Sequence, residues 1–251
     1  MIMLLASDVW VAGPARPSLS RGEVHVWRVT LDQERAWVEA FRETLSLDEL
    51  DRAARFHFAR DSKHFVVARG ALRNILGRYL AERPERLRFV TTRFGKPSLI
   101  GSAAGEDLRF NLSHSGELAL YAVACERELG IDIERLREDF DGLGIAANYF
   151  SPREVMVLRS LPPAVQTQAF FNCWTRKEAY IKARGEGLSM PLDQFDVSFA
   201  PGESAMLIRN INDPQEASRW SLQELHPGVG YAAAIAVEGR DWRLSCWHWQ
   251  G

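Results

Sequence analysis

Across residues 60–80 the apolar side chains Phe65, Ala68, Leu72, Ile75, Leu76 and Tyr79 recur every three or four positions, the period of a helix with one buried face. Pro84 signals its end. Upstream, Val24 and Val26 alternate with His25, Trp27 and Val29, which predicts a strand over 23–30 that is partly buried on both faces. A short helix over 32–45 follows. Ser46-Leu-Asp-Glu49 then has the spacing of a capping box that starts another helix, carrying Leu50, Ala54 and Phe56. Residues 88–92 read as a strand, and the Gly-, Ser- and Ala-rich stretch 100–107 as a loop. Segments 108–112 and 118–125 are apolar enough for buried strands, and the polar Ser113-His-Ser-Gly-Glu117 between them predicts a tight turn.

In the second half, Gly130-Ile-Asp-Ile-Glu134 alternates strictly, with Ile131 and Ile133 on one face of a strand and Asp132 and Glu134 on the other. An acidic connector over 138–144 precedes a second capping box, Ser151-Pro-Arg-Glu154, strengthened by Pro at the first helical position. After Pro162-Pro163 a helix is expected over 164–184, closed by Gly185. Strands are expected over 196–199, 205–209, 220–225, 231–237 and 242–247. Residues 1–21, with Gly13, Pro14 and Pro17 and little periodicity, read as an extended N-terminal arm. Both halves thus run short helix, long helix, strands, which suggests an internal repeat.

Two segments carry candidate chemistry. On the helix over 164–184, Trp174, Glu178, Ile181 and Lys182 share a face, so a carboxylate and an ammonium sit at the edge of an aromatic stripe. By itself this reads as a solvated ion pair. Asp132 and Glu134 would lie roughly 7 Å apart and repel by about 2 kcal/mol at an effective dielectric of about 20. Solvent at an open edge would offset that, and so would a hard divalent cation. Two strand carboxylates and a helical Glu make an oxygen-only site of the kind Mg²⁺ prefers beside phosphates and water, with Mn²⁺ as an alternative.

These two segments, in order and about forty residues apart, resemble the signature pair of the 4'-phosphopantetheinyl transferases, Sfp-type. Three further stretches resemble that family in the same order: Phe94-Gly-Lys-Pro97, Phe110-Asn-Leu-Ser-His-Ser115 and Gly185-Glu-Gly-Leu-Ser-Met-Pro-Leu192. The resemblance implies an α+β pseudo-dimer of two similar subdomains, each a small, mostly antiparallel sheet packed on a long helix, with the active site in the cleft between them. The subdomains would span 22–127 and 128–251, after the arm at 1–21.

It also implies transfer of the 4'-phosphopantetheine group of coenzyme A to a serine of an apo acyl or peptidyl carrier protein, with release of adenosine 3',5'-bisphosphate. Asp132, Glu134 and Glu178 would hold Mg²⁺ or Mn²⁺. Lys182 would contact the pyrophosphate and stabilise the leaving group, and Glu178 is the candidate proton acceptor. Arg52, Lys96, Ser113 and His114 would bind the coenzyme, Arg52 and His114 near its 3'-phosphate. Glu49 departs from the pattern, since some members carry Lys there. A non-catalytic coenzyme A binder and a Mg²⁺-dependent pyrophosphate hydrolase are the alternatives. The carrier's pathway, whether fatty acid, polyketide or nonribosomal peptide, is not written in the sequence.

Composition narrows the rest. At 251 residues, 46% hydrophobic and 25% charged, the chain is long enough for a core without staples. A formal net charge of -2 argues against general affinity for nucleic acid or membrane, so any basic site must be local. Cys125, Cys173 and Cys246 are widely spaced and odd in number, which disfavours zinc and fits a reducing cytoplasm. The opening Met-Ile-Met-Leu-Leu-Ala lacks a basic flank and is far too short to span a bilayer. Gly142-Leu-Gly-Ile-Ala-Ala147 is not a dinucleotide fingerprint, because no strand precedes it. Trp242, Trp247 and Trp249 read as sheet packing. A pseudo-dimer implies that a monomer suffices.

Overall fold

The computed structural model describes residues 9–93, 95–100, 108–137, 139–185, 187 and 190–250. In chain order its elements are β1 (Trp10–Ala12), β2 (Glu23–Thr30), α1 (Arg35–Glu43), α2 (Leu47–Ala54), α3 (Ala59–Leu80), β3 (Phe89–Thr91), β4 (Pro97–Leu99), β5 (Leu108–Ser115), β6 (Leu118–Cys125) and β7 (Leu129–Arg135). The second half adds α4 (Gly142–Tyr149), α5 (Pro152–Ser160), α6 (Pro163–Arg184), β8 (Phe195–Val197), β9 (Leu207–Asn210), α7 (Glu216–Arg219), β10 (Trp220–Leu225), β11 (Tyr231–Glu238) and β12 (Arg243–His248). Of the expected loop at 100–107, residues 101–107 lie outside the described residues, as do parts of the 94–97 and 185–192 motifs.

Period-two burial dictates the layering. Val24, Val26, Leu120, Ala122 and Ala124 of the first sheet (order β1-β12-β2-β6-β5) face Ile131, Ile133, Ala233, Ile235 and Val237 of the second (order β10-β11-β7) across one core. The alternate residues Trp27, Val29, Tyr121 and Val123 pack outward onto α3. Ala232, Ala234 and Ala236 likewise pack outward onto α6. The molecule is therefore an α+β pseudo-dimer, helix, sheet, sheet, helix, with a long helix covering the outer face of each sheet.

Three expectations change. The polar run at 113–117 is not a turn: β5 continues through Ser115, and only Gly116, at φ 58°, and Glu117 reverse the chain before Leu118 pairs with Ser115. The connector over 138–144 gives way at Gly142 to α4, capped by Asp141 Oδ1 accepting from the Gly144 N–H at 2.9 Å. Residue 138 lies outside the described residues. Finally, β12 runs parallel to β2 in the first sheet, and β1, from the expected arm, pairs on its far side. Trp247, at 4.8 Å from the Trp27 ring, and Trp249, under the Arg78 guanidinium, fasten that strand to the first half. An otherwise open edge of β2 is thereby covered.

Candidate active site

The inner edges of the two sheets, β5 and β7, run side by side in the same direction, joined by side chains. Asn111, Ser113 and Ser115 alternate on one side of β5. Asn111 Oδ1 accepts from the Ile131 N–H at 2.9 Å, which pins the register of β7. Ser113 Oγ donates to Asp132 Oδ1 at 2.8 Å, and Ser115 Oγ donates to Glu134 Oε2 at 2.8 Å. The face of β7 carrying the acids is turned toward α6. Gly130, on that face, makes the approach close: a Cβ there would collide with the backbone at Ala179 O and Ala183 N.

That closeness brings α6 side chains onto the strand. Lys182 Nζ donates to Asp132 Oδ1 at 2.6 Å, to Ser113 Oγ at 3.0 Å and to Ile131 O at 3.3 Å. Asp132 is 4% exposed, and its second oxygen, Oδ2, is buried with no hydrogen-bond partner. Burial raises the pKa of Glu178, and the charges of Asp132 and Glu134 push it further up while Lys182 opposes them. Burial also raises Glu134, with Asp132 adding to the rise and the Ser115 hydroxyl opposing it. The three carboxylates thus share one electrostatic neighbourhood. Among the described residues, no group of three or more His, Cys, Asp or Glu side chains is arranged so that it could hold a metal ion.

Beside the acids opens a cleft of about 1110 Å³, walled mainly by the first half. Six arginines line it, Arg52, Arg60, Arg69, Arg73, Arg88 and Arg135, with His64 and His114, against the acids Asp48, Glu49 and Asp61. Such a surplus suits a polyanion. Arg52 reaches it with its guanidinium 5.2 Å from the Phe65 ring. Desolvation, then the Lys182 cation, His64 and Arg52, hold the His114 imidazole below its ordinary pKa.

Two expected coenzyme contacts are engaged elsewhere. Ser113 is buried in the seam between the sheets. Lys96 does not line the cleft, although Gly95 and Pro97 do: its ammonium donates to Glu128 Oε2 at 2.9 Å and to the carbonyls of Leu129 and Ala183 at 3.3 Å. Conversely, the sequence reading missed Arg69 and Arg73. They stand one turn apart on the apolar stripe of α3, and charge at that spacing inside a buried face was the available signal. It missed Ser115 too, whose hydroxyl serves Glu134.

Comparison with known proteins fits this arrangement. Residues 128–236 match the model of the 4'-phosphopantetheinyl transferase superfamily, and residues 27–126 match that of the 4'-phosphopantetheinyl transferase N-terminal region. The 4'-phosphopantetheinyl transferase HetI of Nostoc sp. is 42% identical over 98% of this chain and 100% of its own. The 4'-phosphopantetheinyl transferase Sfp of Bacillus subtilis is 32% identical over 79% of this chain and 85% of its own. Among solved structures, the holo-[acyl-carrier-protein] synthase of Thermotoga maritima overlaps 45% of this chain and 63% of its own at 18% identity and a TM-score of 0.33, too slight an overlap to carry an argument. With both halves matched in order and a full-length relative at that identity, the chain belongs to the 4'-phosphopantetheinyl transferases, enzymes that move phosphopantetheine from coenzyme A onto carrier proteins.

Proposed function

We propose that the protein transfers the 4'-phosphopantetheine arm of coenzyme A to a serine hydroxyl of an apo acyl or peptidyl carrier protein in a Mg²⁺-dependent reaction, releasing adenosine 3',5'-bisphosphate. The observation that carries this reading is that Asp132, Glu134, Glu178 and Lys182 share one electrostatic neighbourhood, linked through Ser115 on Glu134 to an arginine-lined cleft. Asp132 Oδ2 is a buried acceptor without a donor, which is what an oxygen-seeking dication would satisfy. Asp132, Glu134 and Glu178 are the residues that would hold it. Bound there, Mg²⁺ would supply neutralising charge to a diphosphate, and Mn²⁺ fits the same oxygen set.

The chain's own groups supply the rest. In the transfer, the carrier's serine oxygen forms a bond to the phosphorus that bears the pantetheine arm, and the bridging P–O bond of the diphosphate breaks. The bonding pair leaves with the adenosine bisphosphate. Glu178, whose pKa is raised by burial and by the neighbouring Asp132, is the candidate acceptor for that serine's proton, directly or through a water it orients. Lys182, a point charge on the same helix face, steadies the leaving phosphate. Arg52 and the cleft arginines hold the nucleotide end. No helix among the described residues is long and apolar enough to cross a membrane. A cytoplasmic monomer, independent of nucleic acid and membrane, is part of the proposal.

Incubation with coenzyme A, Mg²⁺ and a panel of apo carriers should add a phosphopantetheine mass to at least one carrier serine. Asp132→Ala should abolish the gain and leave the cooperative thermal transition in place. Calorimetric binding of coenzyme A without any mass gain would favour a non-catalytic binder. Release of 4'-phosphopantetheine and adenosine 3',5'-bisphosphate with no carrier present would favour a hydrolase.

A further inference from the structure

The reversal between β5 and β6 belongs to the first half, yet the second half holds it. Gly116 turns there at φ 58°, and a Cβ on it would lie 2.8 Å from the Tyr231 hydroxyl oxygen, so a residue without a side chain lets the phenol of β11 come this close. The hydroxyl accepts the Glu117 N–H at 3.1 Å. Glu117 is then engaged in two further directions: its carbonyl accepts the Leu31 N–H at 2.8 Å, and its carboxylate meets Arg60 of α3 at 3.3 Å. Arg60 lines the cleft. Asp32, 3.7 Å from Arg60, also meets His64 at 2.9 Å, and His64 lines the cleft too. A path of polar contacts thus runs from a tyrosine of the second half to two groups on the basic wall.

We infer that Tyr231 is a positioning residue for coenzyme binding: by holding the Glu117 backbone from the second half, its hydroxyl keeps the Glu117 carboxylate where it steadies Arg60 in the cleft. The role rests on the coenzyme-binding part of the reading above, which sets the nucleotide end of coenzyme A on this wall. Neither Tyr231 nor Glu117 lines the cleft, so the tyrosine acts through Arg60 and is not itself a ligand contact. Exposure decides where the effect is seen. Arg60 and Glu117 are both half-exposed, and a solvated pair of that kind adds little to stability. Ligand binding has more to lose, because an arginine left free to swing has to be ordered again by each anion that it meets.

The test is a calorimetric titration of the full chain with coenzyme A in buffer containing Mg²⁺, which needs no carrier, together with transfer kinetics on an accepted carrier. Tyr231→Phe, which removes only the hydroxyl, should weaken coenzyme A binding by about 3- to 10-fold, the effect of one lost hydrogen bond, and raise KM by the same factor. Its kcat and urea midpoint should stay close to wild type. Added to Arg60→Ala, which weakens binding by itself, the tyrosine change should cost less than about twofold more, because both act on one guanidinium. Wild-type affinity in Tyr231→Phe would overturn the inference and leave the transferase reading standing, and so would full additivity with Arg60→Ala or a fall in kcat with KM unchanged. If Tyr231→Phe does not fold, Glu117→Gln reports instead: it keeps the N–H on the tyrosine but loses the charge that holds Arg60, and wild-type affinity there overturns the inference too. The expected pattern of affinities with no transfer to any carrier would sink the transferase reading alone. Wild-type protein that binds no coenzyme A would remove both.

Discussion

The two halves of the molecule use the same device at the start of the helix that precedes each long helix. Glu49 closes the capping box of α2 on the Ser46 N–H at 3.0 Å, and Glu154 closes that of α5 on the Ser151 N–H at 3.0 Å. Each glutamate then reaches a cation on the long helix: Arg73 of α3 at 2.7 Å, Lys177 of α6 at 2.8 Å. Each cation goes on to two carbonyls around the next tight turn. Arg73 bonds Pro84 O and Leu87 O, and Lys177 bonds Leu192 O and Phe195 O. The internal repeat that the order of elements only suggested is visible here side chain by side chain.

The difference lies in what was added. Lys177 is fully buried, its charge matched one to one by Glu154, and the unit is sealed. Glu49 is paired with two cations, because Arg69 also reaches it at 2.6 Å, and all three residues line the cleft. A repeat that is neutral and structural in the second half carries a surplus positive charge in the first, at the surface where the anionic end of a ligand would lie. In this light Glu49 does not weaken the basic wall. It fixes two guanidinium groups in place, and both lie about 5.1 Å from the Phe89 ring.

The largest effect should come from the sealed copy. Lys177→Met strands the Glu154 carboxylate in a site 1% exposed and leaves two carbonyls without a donor, so urea denaturation should show a loss of about 3–5 kcal/mol. Glu49→Gln should lose less, about 1–3 kcal/mol, because the buried Arg73 keeps the carbonyls of Pro84 and Leu87, and Arg69, partly exposed, keeps the Phe89 ring. The same Glu49 variant should bind inorganic pyrophosphate more tightly than wild type in a calorimeter. Equal losses in the two variants, with no gain in anion binding, would erase the distinction between the copies.

How far the sequence could go follows the same line between local and distant causes. The alternation of Ile131 and Ile133 with Asp132 and Glu134, and both capping boxes, are set by neighbours in sequence and were legible. Ser113-His114-Ser115 looked like a turn because its residues favour turns. The competing cause is β7, about twenty residues on, which accepts their hydroxyls and holds the segment extended. The parallel pairing of β12 with β2 joins positions more than 200 residues apart, and no local pattern encodes it. Lys96 sits in its motif as expected, but the motif does not reveal that Glu128 and two carbonyls hold its ammonium. Arg69 and Arg73 stood out less, because the partner that buries with them, Glu49, lies about twenty residues upstream on another helix.

A second repeated unit, at the far end of each long helix, separates the halves more gently. Tyr79 of α3 accepts from Trp27 Nε1 at 2.8 Å and meets His25 Nδ1 at 2.9 Å, while Tyr180 of α6 donates to Glu216, which also accepts from Trp220 Nε1 at 2.8 Å. One unit is built on a neutral imidazole and the other on a carboxylate. Burial pushes His25 down to about 4 from 6.5. Burial opposes the Glu216 charge, yet hydrogen bonds from Tyr180 and Arg184 outweigh it and hold the carboxyl below its ordinary value. A group with a lowered folded-state pKa gives stability that is present above its unfolded pKa and is lost as pH falls toward the folded one. The first half should therefore weaken from about pH 6.5 downward, and the Glu216 unit only below about 4.5. Between about pH 7 and 5.5 the His25 contribution amounts to roughly 1 kcal/mol, and His25→Gln should flatten the fall in urea midpoint over that interval. A wild-type midpoint already flat from pH 7 to 5.5 would show that His25 accepts a proton in the folded protein as readily as in the unfolded chain, and that the two units do not differ in their response to acid.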